Sequence, residues 1–145
     1  MPKFTDTDFI LGFDFGMRRI GVAVGTRETE AAKPLAHLPA TNGVPDWNRA
    51  LKLIGEWEAK AIVVGYPLNM DGSNQNTTHA AKRFANKLAD KCRLPAFLVD
   101  ERLTTAEARH DMKEHNLTFN VDSYSAKLIL EQWLRSDEDT WTYSQ

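Results

Sequence analysis

The chain carries a single cysteine, Cys92, among its 145 residues. That excludes an internal disulfide and any Cys-x-x-Cys metal site, and it fits a reducing compartment. Positive charge is also in short supply: 18 Lys and Arg stand against 20 Asp and Glu, for a net charge of −2. A protein that coats nucleic acid by bulk electrostatics is therefore ruled out, and any nucleic-acid contact has to be local. No apolar run approaches the roughly 20 residues of a membrane span, and the opening Met-Pro-Lys-Phe-Thr-Asp lacks a signal peptide's apolar stretch. The expectation is a soluble cytoplasmic protein with no membrane partner. Internal repeats and low-complexity segments are absent as well.

What is present suits one compact unit. At this length about 70% of the unfolded surface is buried on folding, enough for a core without disulfides or structural metal. Phe9 to Phe15 is almost continuously apolar, Gly16-Met17-Arg18-Arg19 breaks it, and Ile20 to Gly25 resumes, which predicts a hairpin. Leu35 to Pro39 predicts a short strand that its prolines confine to an edge. Pro45 and Asp46 open a helix whose Trp47, Ala50, Leu51, Ile54 and Trp57 keep helical spacing. Ala61 to Tyr66, apolar on both faces, predicts a central parallel strand. A polar, asparagine-rich loop from Pro67 to Thr78 is too hydrophilic to bury. It leads into a helix from about Thr78 to Lys91, with Ala81, Phe84, Ala85 and Leu88 on one side. Ala96 to Val99 predicts a fifth strand. Thr104 and Glu107 have capping-box spacing for a helix running toward His115. After a loop through Asn116 and Asn120, Ala126, Ile129, Leu130, Trp133 and Leu134 stripe a last helix. The acidic Asp137-Glu138-Asp139 reads as a frayed tail, so residues 1–136 form the domain and 137–145 follow it. This order describes a single α/β domain: a mixed five-stranded sheet with helices over its faces, whose ligands belong at the carboxyl ends of the parallel strands.

Three carboxylates sit where burial should exclude them. Asp14 lies inside the run Ile10 to Gly16, where an ionised group costs several kcal/mol unless compensated. Glu101 follows a strand at its carboxyl end, and Asp122 shares a helical face with Ala126 and Leu130. Each has an ordinary explanation: a strand-end Asp bonding a turn, a surface carboxylate paired with Arg102 or Arg109, and a helix N-cap. An α/β arrangement, however, can bring all three to one sheet edge. Converging acids repel and raise one another's pKa unless a divalent cation lies among them, and hard oxygen ligands select Mg²⁺ or Mn²⁺. Such a site suits phosphodiester hydrolysis by two metals about 3.5–4 Å apart.

Four blocks together resemble the YqgF family, also called RuvX or Holliday-junction resolvase-like proteins. They are Leu11 to Ala23, Val64 to Ser73, Asp100 to Thr105, and Val121-Asp122 ahead of an alanine-bearing helix. The resemblance covers nearly the whole chain. It implies a ribonuclease H-like fold and makes Asp14, Glu101 and Asp122 the catalytic, metal-binding groups. It also implies processing of the 5′ end of the small-subunit ribosomal RNA precursor, pre-16S rRNA. Branched DNA, cut as by a junction resolvase, is the alternative substrate, and a non-catalytic RNA-binding module is the alternative class. The oligomeric expectation is a monomer or weak homodimer, whereas junction resolution needs two sites and so a dimer. One departure is Ser125, where the family's last block usually has alanine.

Arg18 and Arg19 at the hairpin turn, and Arg102 beside Glu101, are candidates for phosphate contacts because guanidinium forks match phosphate oxygens bidentately. Asn69 belongs to a loop that offers amides and hydroxyls to nucleic acid, without the spacing or lysine of a nucleotide cradle. Lys82 and Arg83 could line a path for the backbone, although such residues are more often solvated surface. Asp14-Phe15-Gly16 spells a kinase metal motif, but no glycine-rich loop or catalytic loop accompanies it. Actin-like ATPases share an Asp-x-Gly hairpin yet clamp nucleotide between two domains. His110 and His115 miss zinc spacing. Trp47, Trp57 and Trp133 fall on core stripes, and Trp141 has no assigned role.

Overall fold

A computed structural model describes residues 4–69, 71–101 and 121–144. Seven strands form one sheet among these residues, in the order β4-β3-β2-β1-β5-β6-β7. β1 (Ile10–Asp14) and β2 (Arg19–Thr26) are the antiparallel hairpin, and β2 continues to β3 (Ala31–Thr41) and the two-residue β4 (Val44–Pro45). On the other side β1 pairs in parallel with β5 (Ala61–Tyr66), and β5 with β6 (Ala96–Asp100). Thr142–Tyr143 closes that edge as β7, antiparallel to β6. The strands β1, β5 and β6 are apolar on both faces because both faces are covered.

Helix α1 (Trp47–Trp57) begins where Asp46 Oδ1 accepts from the N–H groups of Asn48 and Arg49, at 3.0 and 3.3 Å. It and α2 (Thr78–Cys92) cover one face, over Leu11, Phe13, Val22, Ile62 and Val64. Helix α3 (Val121–Arg135) covers the other, over Ile10, Ala23, Val63 and Phe97. Among the described residues no helix is long and apolar enough to cross a membrane.

The sheet is larger than the sequence reading. The third strand runs over eleven residues, rather than only Leu35 to Pro39. Its prolines are tolerated because, beyond its short pairing with β4, β3 is the sheet's free edge. The acidic end is not frayed either. A 3₁₀ turn (Glu138–Thr140) and β7 return it to β6, and Trp141 stacks 4.4 Å from Trp133 and 5.1 Å from Phe97. The apolar area of Trp141 ties down a segment in which Asp137 and Glu138 are exposed. The expected helix from Thr104 toward His115, the loop through Asn116 and Asn120, and Arg102, His110 and His115 lie outside the described residues.

Candidate active site

Asp14 ends β1, facing Gly21 of β2 on one side and Gly65 of β5 on the other. Directly opposed residues in a sheet project to the same face, so this row of three is turned toward α3. Both neighbours of Asp14 therefore lack a side chain, and each absence has a use. A Cβ on Gly21 would collide with the carbonyl oxygen of Asp122 and the amide of Ser123, because the first turn of α3 rests directly on that position. A Cβ on Gly65 would sit 3.0 Å from Glu101 Oε2 and 2.5 Å from Ile129 Cδ1. Gly65 is the gap across which β1 and the end of β6 exchange side chains.

Glu101 reaches through that gap to hydrogen-bond Asp14. Its amide donates to Tyr66 O at 3.2 Å, extending the β5–β6 ladder by one rung past Asp100 and aiming the side chain at α3's face. Glu101 is 9% exposed. Burial pushes its carboxyl above the usual range; the bond to Asp14 opposes the shift and the neighbouring Asp100 carboxylate reinforces it. Sequence reading passed over Asp100, though its place beside Glu101 was visible.

Asp122 lies inside the first turn of α3 and is not its N-cap, since the helix already begins at Val121. Its half-buried carboxylate accepts from Arg19 Nε at 3.0 Å. Next to it Ser123 Oγ, fully buried, accepts from Val22 N–H at 3.1 Å, where the β2–β3 register shifts. That bond pins the start of α3 to β2. The serine-for-alanine departure at Ser125 falls at a buried position and leaves the helix regular.

The structure thus brings Asp14 and Glu101 into contact and sets Asp122 over the adjacent glycine, paired with Arg19. Among the described residues no group of three His, Cys, Asp or Glu is placed to hold a metal ion. The donor set still suits a hard cation. Two carboxylates in contact have to share a proton or a cation, and a divalent ion lets both ionise.

The flanking candidates divide. Arg19 is 59% exposed at its side chain even while paired, and Arg18 is exposed at the same turn. Asn69 is committed to its own loop, donating to Ser73 Oγ at 3.0 Å. Further bonds close that loop: Asn69 N to Ser73 O at 2.9 Å, Ser73 Oγ to Asp71 Oδ1 at 2.6 Å, and Gln75 Nε2 to Leu68 O at 2.9 Å. Side chains that looked too polar to pack are hydrogen-bonded to each other. Lys82 Nζ lies 5.0 Å over the Tyr66 ring, near the carboxyl end of β5.

A hairpin leading into parallel strands, an acidic residue on the first strand, a second after a late one and a helix laid across their ends define a ribonuclease H-like nuclease-type α/β domain. The likeness extends to solved structures. Thermus thermophilus RuvC, solved with a Holliday junction substrate, superposes with a TM-score of 0.62 at 15% identity over 94% of this chain and 99% of that one. The fowlpox virus Holliday junction resolvase gives 0.56 at 9% identity, covering 89% and 99%. At such identities the likeness concerns the fold. Residues 8–136 match the family described as "RuvX: Holliday junction resolvase", and the chain belongs to that family. A Coxiella burnetii protein named "Putative pre-16S rRNA nuclease" is 53% identical over 132 residues, 89% of this chain and 94% of its own length. A Legionella pneumophila protein of the same name is 48% identical over 133 residues, 88% and 96%.

Proposed function

We propose that this protein is a divalent-metal-dependent nuclease that trims the 5′ end of pre-16S rRNA in the cytoplasm during ribosome assembly. The observation that carries the reading is the Asp14–Glu101 contact across Gly65, at the strand ends where α/β folds place their chemistry. The names of the relatives at about half identity favour the RNA substrate.

Asp14 and Glu101 would hold Mg²⁺ or Mn²⁺, with Asp122 as the third carboxylate of the same corner. When bound in the two-metal manner, such ions supply an activated water and neutralise charge on the phosphate. The protein's own part is positional. Asp14 is held by two ladders, to β2 and to β5, so its carboxylate enters the site with little freedom. Glu101 is fixed by its backbone bond to Tyr66 and by burial. Arg19 holds Asp122 in the free protein and is exposed enough to turn toward a phosphate, which its fork can grip. Arg18, exposed at the same turn, extends that contact, Arg102 is a further phosphate ligand from its place in the sequence beside Glu101, and Asn69 presents its loop to the substrate. A monomer or weak homodimer suffices, since one site completes one cut.

The test is cleavage of a precursor RNA carrying the 5′ flank of 16S rRNA, with Mg²⁺ or Mn²⁺. Cleavage that Asp14→Asn removes is expected; undiminished cleavage by that variant would overturn the assignment. The family's description favours a second substrate, branched DNA. That reading requires a dimer with two sites and symmetrical nicking of a four-way junction.

A further inference from the structure

Helix α2 carries Lys82, Arg83, Lys87 and Lys91 against one acid, Asp90, in a chain whose net charge is −2. Arg83, Lys87 and Lys91 recur at every fourth position and so form one ridge. Beside the ridge lies an open pocket of about 220 Å³ between α1, α2 and the β3–β4 turn. Three of its lining residues are aromatic, Phe15, Trp47 and Phe84, and Ala80, Arg83 and Lys87 of α2 line it as well. The rings brace one another, Trp47 stacked on Phe84 at 5.8 Å and Phe15 at 5.5 Å from Phe84.

Three features point to the occupant. The volume falls below the roughly 300–1,000 Å³ of pockets that enclose whole ligands, so it suits one flat ring. The ammonium groups of Lys87 and Lys91 stand 5.7 and 5.4 Å from the Trp47 ring centre, two like charges whose repulsion a nearby polyanion relieves. The Asp46 carboxylate beside Trp47 is already engaged in capping α1. Aromatic walls with a cationic rim are how proteins hold single-stranded nucleic acid, by base stacking and phosphate contact. Gly43, at φ +80, keeps the mouth open, since a Cβ there would meet Phe15 Cζ at 2.7 Å.

The place is equally telling. Phe15 follows Asp14 directly, and their side chains leave opposite faces of the sheet, Asp14 toward α3 and Phe15 into the core under α2. The pocket therefore opens at the same end of the sheet as the acidic pair, around the corner made by the Gly16–Arg19 turn.

We propose that this pocket seats one unpaired base of a single-stranded RNA flanking the cleaved bond, with Arg83 and Lys87 on the adjoining phosphates. The identity of the strand rests on the nuclease reading; the pocket itself is tested without cleavage. A short single-stranded RNA, with one abasic nucleotide moved through successive positions, is titrated against the full chain in EDTA. One position is expected to weaken binding about tenfold, the worth of one stacked base. Ala80→Met fills the pocket with a good helix former and should erase that difference. Arg83→Ala with Lys87→Ala should weaken binding of every RNA and flatten the slope of log K against log salt by about 0.7 per lost phosphate contact.

An abasic scan that is flat in the unsubstituted protein overturns the proposal, and so does an unchanged salt slope in the double variant. If RNA is still cleaved while the scan is flat, the pocket fails and the nuclease reading stands. Binding of branched DNA or of a protein partner without RNA binding overturns the RNA occupant.

Discussion

Arg19 Nε donates to Asp122 Oδ2 at 3.0 Å, joining the first residue of β2 to the first turn of α3. The pair is solvent-facing, with Arg19 59% and Asp122 32% exposed, so it adds no more than about 1 kcal/mol to stability. Its weight lies in orientation. Arg19→Ala is expected to leave the melting temperature nearly unchanged while raising KM for RNA more than it lowers kcat. Asp122→Asn should lower kcat about 100-fold or more with the fold intact. Melting curves with steady-state cleavage kinetics check both; a loss of several degrees in Arg19→Ala would contradict the account.

Gly65 separates the two acids that touch. Gly65→Ala places a methyl 3.0 Å from Glu101 Oε2 and 2.5 Å from Ile129 Cδ1. The Ile129 end can yield, so the stability cost should stay near 1–3 kcal/mol, the usual range for overpacking. Activity should fall further than stability, because the methyl wedges Glu101 away from Asp14. Urea denaturation beside cleavage assays separates the two effects.

Burial raises the Glu101 carboxyl above its ordinary range, so the metal-free fold disfavours its ionised form. The unfolded chain ionises this group at the ordinary value. Stability contributed here is therefore present below that value and declines as pH rises through the raised folded one. Glu101→Gln removes the ionisation. Without metal, its melting temperature should exceed that of the unsubstituted protein at neutral pH and match it in acid, although cleavage is lost. Added Mg²⁺ should narrow the neutral-pH gap by stabilising only the protein that keeps the carboxylate. A variant less stable than the parent at neutral pH without metal would contradict this sign.

Ser123 Oγ accepts the buried N–H of Val22 at 3.1 Å. Ser123→Ala leaves that donor unsatisfied, which costs about 1–3 kcal/mol. Amide hydrogen exchange at Val22 should accelerate more than at Val24, a difference that general loosening would not produce.

Trp141 lies against Trp133, Phe97 and Phe4 with ring centres 4.4, 5.1 and 5.8 Å away, and its Nε1 donates to Ser136 Oγ at 3.0 Å. Trp141→Ala should cost about 2 kcal/mol, less than truncation of a fully buried ring. Limited proteolysis should then cut near β7 first. Unaltered resistance there would mean the strand stands without its anchor.

Elements whose signals are local were legible. Asp46 at the mouth of α1, the apolar stripe of α2 and the unbroken run Ala61–Tyr66 all report contacts made within a few residues or a burial that composition reveals. The misjudged segments are those held from afar. β7 is two residues long and exists because Trp141 finds partners on β6 and α3. β3 runs past its prolines because β2 offers it a ladder. The loop after Pro67 differs, since its bonds are local: polar side chains that close it by bonding one another carry no periodicity to read.

For the candidate site the division is similar. A carboxylate inside an apolar run is conspicuous in any sequence, because burying it unaided is costly, and Asp14 points to a site once Glu101 and Asp122 also fall at element ends. Which acids meet was beyond the linear order. Glu101 touches Asp14 because parallel pairing through β5 aligns the strand ends and a glycine clears the space between them. Asp122 turns instead to Arg19, an arrangement set by where α3 lands on Gly21. Side-chain chemistry is written residue by residue; distance between residues is created only when the chain folds.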